Sequence, residues 1–246
     1  MNAKTKTKTT SATTSKNTDN TKMQKITRKK VRLFFYGGAR KDTHNNTFLD
    51  AATNVRNDYK KDNRKDIEIK PLYEHKSADD IIERIEMEAD NSIESIDLFS
   101  HGTPAALRFQ RSTFGFGQDL FMNAEVQEKE DTFDGNAANL SEINYSKFTN
   151  TAIIEVHGCR VGSVEPELNN INWAMIFSKY LYDAGKTKSV VIGHITKANP
   201  DQHKTLKGSD YRHGNRRIYH NGKELDIYRN EGRIPPEYIN KKLLGK

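Results

Sequence analysis

Strand-like and helix-like segments alternate along most of this chain, and this alternation limits the possible folds more than any other feature. Apolar runs rich in β-branched and aromatic residues, typical of buried strands, cover residues 31–36, 67–73, 93–99, 152–156 and 189–195. Segments with apolar residues at helical spacing cover residues 45–61, 77–91 and 171–182. The alternation predicts an α/β fold in which a mostly parallel central sheet is covered by helices on both faces.

Weaker sequence patterns predict further local structure between and after these elements. We expect a small hairpin from residues 107–109 and 114–116, an exposed loop at 127–135 and a short helix at 140–148. Asn221-Gly222 between two β-type runs predicts a C-terminal hairpin. The chain end after Pro235-Pro236 is expected to be irregular and exposed.

Positive charge is concentrated near the N-terminus. The chain has 40 Lys or Arg and 33 Asp or Glu residues, for a formal net charge of +7. Residues 1–32 contain ten of the basic residues and one acidic residue, which leaves 30 basic against 32 acidic residues for the remainder. Residues 1–29 also lack apolar periodicity, so we expect a disordered, basic Lys/Thr-rich tail. A single domain over residues 30–246 should follow, and we do not expect this folded part to bind nucleic acid.

The sequence contains no apolar stretch of about 20 residues, the length needed for a membrane span. Its N-terminus also lacks the apolar segment of a secretory signal peptide. Cys159 is the only cysteine, which excludes an internal disulfide. We therefore expect a protein without a membrane span, located in the cytoplasm or exported to a target cell without a classical signal peptide.

Two of the predicted strands lead to residues that could form a catalytic pair. The run at 96–100 leads to His101, and the run at 153–157 leads to Cys159, 58 residues later (159 − 101). The carboxyl ends of parallel strands meet at one edge of a sheet, where neighbouring strands lie about 4.8 Å apart. An imidazole there can take the proton of a thiol and leave a reactive thiolate. The pattern favours a Cys–His dyad.

Each residue also has a more ordinary interpretation. A lone cysteine after a strand is more often a small buried residue, and a lone histidine is more often structural. The joint pattern carries more weight, because His-Gly and Gly-Cys each follow an apolar strand. Gly102 and Gly158 let backbone and substrate approach closely, and the N–H groups near these turns could hold a developing oxyanion.

Together the two motifs resemble those of the caspase-like (clan CD) cysteine peptidases, the superfamily that includes caspases, metacaspases, gingipains, separase and the bacterial CHAT domains. Its pattern is an apolar strand followed by His-Gly and a later apolar strand followed by Cys, which residues 96–102 and 152–159 match. The order of elements agrees over residues 31–195, about two thirds of the chain. The chain is most similar to bacterial members with a Gly-Cys pair, CHAT-like or toxin peptidase-like. The resemblance implies a caspase-like three-layer sandwich.

The resemblance also implies a role for each motif residue. Cys159 would attack the scissile carbonyl as a thiolate, and His101 would activate it or protonate the leaving amine. The N–H groups of Gly102 and Cys159 would form the oxyanion hole. No metal or organic cofactor is implied. The chain departs from the family just before the cysteine, where caspases have Gln-Ala and metacaspases Asp-Ser but this sequence has His157-Gly158.

Substrate specificity stays open. In the superfamily, the pocket for the residue preceding the cut is formed by the loop after the first strand and by segments flanking the cysteine strand. Arg40, His157 and Gly158 are therefore candidate substrate-binding residues. Arg40 could meet an acidic side chain, although a solvated loop arginine is the more common finding. Asp42 or Asp201 could instead select Arg or Lys.

Two further groupings support weaker hypotheses. Zinc-ligand residue types occur near strand ends, without the spacing of a compact zinc motif, at His101, His157, His194 and Cys159. The basic stretch at 203–217 could contact an anionic activator, as some toxin-borne relatives are switched on by an inositol phosphate. A solvated loop is the simpler expectation for this stretch.

The function predicted from these patterns is a cysteine endopeptidase that cleaves protein or peptide substrates, in the setting of a bacterial effector, toxin or defence protease. Two alternatives come from other classes. One is a non-catalytic interaction module on the same fold, with an incidental dyad. The other is a nucleic-acid binder that uses residues 1–32 and 203–217.

Overall fold

The structure is a computed structural model that describes residues 28–38, 42–109, 119–130, 137–198 and 210–245. Several predictions concern residues outside these ranges. These are the predictions for residues 1–27 of the basic tail, for Arg40 and Asp201, and for three partial segments: 114–116 of the expected hairpin, 131–135 of the expected loop and 203–209 of the basic stretch.

Eleven strands and five α-helices are present in the described ranges. In chain order the strands are β1 (Lys30–Gly37), β2 (Ile67–His75), β3 (Ile93–Phe99), β4 (His101–Gly102), β5 (Ala106–Arg108), β6 (Leu120–Phe121), β7 (Ala138–Asn139), β8 (Phe148–Val156), β9 (Val190–His194), β10 (Arg216–His220) and β11 (Lys223–Tyr228). The helices are α1 (Asp42–Lys60), α2 (Ala78–Glu86), α3 (Ala124–Glu130), α4 (Trp173–Asp183) and α5 (Pro236–Leu244).

Seven strands form the main sheet, in the order β11-β10-β9-β8-β3-β1-β2. The five strands from β2 to β9 in this order pair in parallel. β10 and β11 add an antiparallel hairpin at one edge. The predicted α/β class with a mostly parallel sheet is confirmed. Among the described residues, no helix combines the length and the apolarity needed to cross a membrane.

Successive residues of each strand point to opposite faces, so the sheet has a core on each side. On β1, Leu33 and Phe35 pack with the buried faces of α2 and α4, whereas Phe34 packs with α1. α5 covers the β9–β10 end of the sheet, on the α1 side, through Ile239. Helices therefore lie on both faces, as predicted.

The helix starts follow local capping chemistry. Ser77 caps α2, and a reciprocal bond from its backbone N–H to the Asp80 carboxylate completes a capping box. The side chain of Asn172 accepts a hydrogen bond from the Met175 N–H and so caps α4. These polar residues satisfy N–H groups that have no partner within the helix.

Four local expectations need correction. Part of the expected loop at 127–135 is helix α3, and α2 ends at Glu86 rather than near Asn91. Residues 140–148 form two short 3₁₀ turns, Leu140–Glu142 and Tyr145–Lys147, before β8 begins. The chain end forms helix α5, because Pro236 fits its first turn and Ile239 reaches the core.

A second, four-stranded sheet in the order β4-β5-β6-β7 follows directly after β3. The hairpin predicted at 107–109 involves β5, which pairs antiparallel with β4 on one side and β6 on the other. The side chain of Ser100 donates to the Arg108 carbonyl (3.1 Å), and the Trp173 indole N–H donates to the Leu120 carbonyl (3.0 Å). These bonds tie the small sheet to the main sheet and to α4.

Candidate functional site

The two turns singled out from the sequence lie side by side. β3 and β8 are adjacent parallel strands, with Leu98 opposite Val156 in the register. His101 follows the end of β3, and Cys159 follows the end of β8. Both therefore leave the carboxyl edge of the sheet from neighbouring strands.

Close contact between glycines shows how near the turns are. A Cβ atom built on Gly158 would lie 3.4 Å from the Cα of Gly102. A Cβ built on Gly102 would lie 3.0 Å from the carbonyl oxygen of Cys159 and 2.6 Å from Cγ1 of Val161. At the shorter distance the Val161 side chain or the backbone would have to shift, so this contact favours glycine at position 102.

The turn that carries Cys159 is held from several directions. The N–H of Arg160 donates to the Thr196 carbonyl (3.2 Å), and the N–H of Gly162 donates to the His194 carbonyl (2.9 Å). The Ala174 N–H at the start of α4 donates to the Val161 carbonyl (3.2 Å). Arg160 adopts a left-handed conformation (φ 60°), so the chain reverses sharply directly after the cysteine.

The sulfur of Cys159 is half-buried and touches the segment after β9. The Ala198 N–H donates to Sγ (3.4 Å), and the thiol donates to the Ala198 carbonyl (3.5 Å). These two contacts hold the sulfur against the backbone of Ala198. Ala198 itself packs in the aromatic cluster on the α1 side of the sheet.

His101 is half-buried on the same side. Its ring meets that of Phe48 on α1 edge to face, with centroids 5.3 Å apart. Phe48 and Ala198 belong to one buried cluster with Phe99. The imidazole and the thiol therefore both contact the same aromatic cluster.

The structure places His157, a candidate substrate-binding residue, inside the protein core. Its side chain is fully buried, and its Nε2 lies 2.9 Å from Oδ1 of Asp97, which is 1% exposed. The ring stacks on Phe99 at 4.1 Å between centroids. The side chain therefore lies in the core on the α1 side of the sheet. Gly158 is also buried, against the His101–Gly102 turn.

Charged side chains surround this histidine in the core. Burial raises the pKa of Asp97, although the hydrogen bond with His157 opposes the shift. Burial acts in the same direction on Glu155, but the charges of Arg216 and His157 outweigh it and leave the pKa of Glu155 below its usual range. Burial, with the positive charges of His157 and Arg216, holds the pKa of His194 well below its usual range.

One group in the described ranges has metal-ligand spacing. Donor atoms of Asp97, Glu155 and His157 all lie within 4.8 Å of one another. Two carboxylates and an imidazole suit a divalent transition metal. However, Glu155 pairs with Arg216 at 2.5 Å, and Oδ1 of Asp97 is hydrogen-bonded to Nε2 of His157, so these donor atoms are already engaged. The group contains neither Cys159 nor His101, unlike the zinc set considered from the sequence.

The described part of the basic stretch, residues 210–217, is not a solvated loop. Arg212 and Arg216 are both buried. Arg212 pairs with Asp210 and Asp58, each at 3.0 Å, and Arg216 pairs with Glu155. These guanidinium groups are engaged by carboxylates of the chain itself, which leaves them no open face for an anionic activator.

A groove of about 680 Å³ lies on the α1 side near the amino ends of the strands, away from His101 and Cys159. Arg32 and Arg233 line it, and each guanidinium carbon lies 4.4 Å from the centroid of the Tyr59 ring. Both arginines pair with Asp62. The positive charges of these two arginines are therefore paired within the protein, and the groove indicates no particular class of ligand.

Sequence patterns missed three contributors to the site, namely Asp97, Phe48 and Ala198. Asp97 did leave a trace, because it is a charged residue in the middle of an otherwise apolar strand. A carboxylate at such a position needs a buried partner. Ala198 contributes only backbone atoms, which no residue pattern marks.

Comparison of the chain with protein-family models, curated protein sequences and solved structures finds no match. The class defined by the fold is an α/β protein with a seven-stranded, mostly parallel sheet. A thiol and an imidazole at its carboxyl edge are the feature on which a function can be argued.

Proposed function

We propose that this protein is a cysteine endopeptidase of the caspase-like type, with Cys159 as nucleophile and His101 as general base and acid. One observation carries the proposal. The His-Gly and Gly-Cys turns leave adjacent parallel strands at the carboxyl edge and touch each other through Gly102 and Gly158. Cys159 and His101 are both half-buried, and they contact Ala198 and Phe48 respectively, two members of one buried cluster.

The reaction follows from the chemistry of the two groups. His101 takes the thiol proton, and the Cys159 thiolate attacks the carbonyl carbon to form a C–S bond. The resulting oxyanion is held by the N–H groups of Gly102 and Cys159. When the C–N bond breaks, the His101 imidazolium gives its proton to the leaving amine. Water, deprotonated by His101, then hydrolyses the thioester, and the thiol is restored.

The surroundings of Cys159 fit a group that must stay in one place. Hydrogen bonds from Arg160 and Gly162 to the segment around β9 fix the turn, and a reacting atom gains rate from a fixed position. The Ala198 N–H donates to the sulfur and holds it against the segment after β9.

Proteome-wide mapping of new protein termini tests the activity. Wild-type protein should create a set of termini that Cys159→Ala and His101→Ala do not create. His220→Ala is the matched control, because this half-buried histidine bonds to the Ser189 carbonyl at the opposite edge of the sheet. The control should cleave as wild type does. Identical termini from wild type and Cys159→Ala would refute the proposed function.

The rate of Cys159 alkylation by iodoacetamide tests the dyad without any need for a substrate. A general base contributes on the order of 100-fold or more when it acts on a nucleophile. Loss of the imidazole in His101→Ala should therefore slow alkylation strongly near neutral pH, while His220→Ala should not. Equal rates in wild type and His101→Ala would show that the imidazole does not activate the thiol.

A further inference from the structure

The buried contact between Asp97 and His157 links the two strands that carry the dyad. Asp97 lies on β3, four residues before His101, and His157 directly follows β8, two residues before Cys159. Nε2 of His157 and Oδ1 of Asp97 are 2.9 Å apart and share one hydrogen bond. The side chains thus cross the boundary between β3 and β8 just below the reactive edge.

Two further contacts fix this link in place. The backbone N–H of His157 donates to the Leu98 carbonyl at 2.7 Å, which extends the β3–β8 pairing by one residue. Its ring lies flat on Phe99, with 4.1 Å between centroids and 7° between planes. The histidine is therefore held by the strand that leads to His101, both through its backbone and through its ring.

Stability alone does not explain why charged groups occupy these positions. Asp97 is 1% exposed and His157 is fully buried. Within the described residues, Oδ2 of Asp97 and Nδ1 of His157 have no hydrogen-bond partner. Removing such groups from water is costly, and apolar residues of similar volume are often as stable or more stable than a buried pair. What the pair supplies and an apolar pair does not is a directional bond between two strands.

We propose that Asp97 and His157 are positioning residues of the dyad. Their hydrogen bond sets the spacing of the two strand ends, so that the sulfur of Cys159 faces the imidazole of His101. This inference rests on the proposed function, but the pair itself does not react with substrate. Its effect is carried through the His157–Gly158–Cys159 turn.

The double variant Asp97→Val/His157→Phe tests whether the pair positions the dyad, separately from any effect on the stability of the fold. Replacement of both partners by apolar groups avoids an unpaired buried charge, and Phe at 157 can still stack on Phe99, so the variant should fold with a melting temperature near that of wild type. A misplaced reacting group loses rate steeply. The alkylation rate of Cys159 by iodoacetamide should therefore fall about tenfold or more. A well-folded variant that alkylates at the wild-type rate overturns the proposal.

A conservative variant distinguishes position from charge. Asp97→Asn keeps an acceptor oxygen for Nε2 of His157, so its alkylation rate should remain within about threefold of wild type. If Asp97→Asn loses as much rate as the double variant, the pair acts through its charge and the positioning role is wrong. Glu88→Gln is the matched control, since Glu88 is a buried acid paired with Arg84 beyond the end of α2. This control should keep the wild-type rate per folded molecule.

The same assay separates failure of this inference from failure of the proposed function. If His101→Ala leaves the alkylation rate unchanged, the dyad itself is wrong. If His101→Ala slows the reaction and the double variant does not, the dyad stands and only the positioning role of Asp97 and His157 falls.

Discussion

The pH dependence of folding stability can be predicted quantitatively at His75, because the described residues give its buried imidazole no hydrogen-bond partner. The residue ends β2 and is 1% exposed. Its ring lies against those of Phe109 and Phe35, at 4.9 and 6.3 Å between centroids. Neither ring nitrogen has a hydrogen-bond partner among the described residues. Burial therefore lowers the pKa of His75 to about 3 from its usual 6.5, and the nearby charge of Asp80 opposes the shift only in part.

The pH dependence of stability follows from this difference. In the unfolded chain His75 takes up a proton near pH 6.5, whereas in the folded protein it stays neutral down to about pH 3. The stability of the fold is thus complete above pH 6.5 and falls as the pH drops toward 3. Each unit of pH in this window costs about 1.4 kcal/mol, so the loss between pH 6.5 and 5 is about 2 kcal/mol.

The substitution His75→Leu removes the titrating group and keeps much of its volume. Urea unfolding at pH 7 and pH 5 gives the free energy of unfolding of wild type and variant at both values. The variant should lose about 2 kcal/mol less than wild type between the two. Burial also lowers the pKa of His194, but that contribution is present in both proteins and cancels in the difference. Equal losses in the two proteins would refute the claim that His75 is buried in its neutral form.

Two further predictions concern packing near the site. Gly102→Ala should lower the free energy of unfolding by about 1–3 kcal/mol, because its Cβ would lie 2.6 Å from Cγ1 of Val161. Gly245→Ala is the control, because its new Cβ meets nothing closer than 3.4 Å. Thermal denaturation of the two variants measures the difference, and equal melting temperatures would contradict the prediction. Trp173→Phe should cost about 1–3 kcal/mol, because it leaves the Leu120 carbonyl without the indole N–H. Chemical unfolding measures that loss, and an unchanged midpoint would show that the bond contributes nothing.

The five parallel strands were predictable because burial on both faces produces continuous apolar runs. Residues 93–99 were predicted as a strand with the bounds that β3 has. The other four strands differ from prediction by a few residues at their ends, where hydrogen bonding rather than composition decides. β8, for example, begins at Phe148 and not at Ala152.

Other elements left weaker patterns in the sequence. α5 is held by contacts that no local pattern shows: Ile239 is buried against the β9–β10 end of the sheet, and Tyr238 and Leu243 pack partly buried beside it. The short strands of the second sheet, such as β4 and β6, contain two residues each, too few for periodicity to appear. The basic composition of residues 210–217 predicted a solvent-exposed loop. Arg212 and Arg216 are nevertheless buried, because carboxylates from distant parts of the chain neutralise them.

The sequence by itself determined the alternation of elements, and from it the arrival of His101 and Cys159 at one edge of a parallel sheet. This was possible because strand order along the chain and the direction of crossovers limit where strand ends meet. Only the tertiary structure decided which side chains stand between them. His157 follows an apolar strand just as Cys159 does, yet its ring is buried against Asp97 and Phe99, because a partner 60 positions away in the chain is invisible to local patterns.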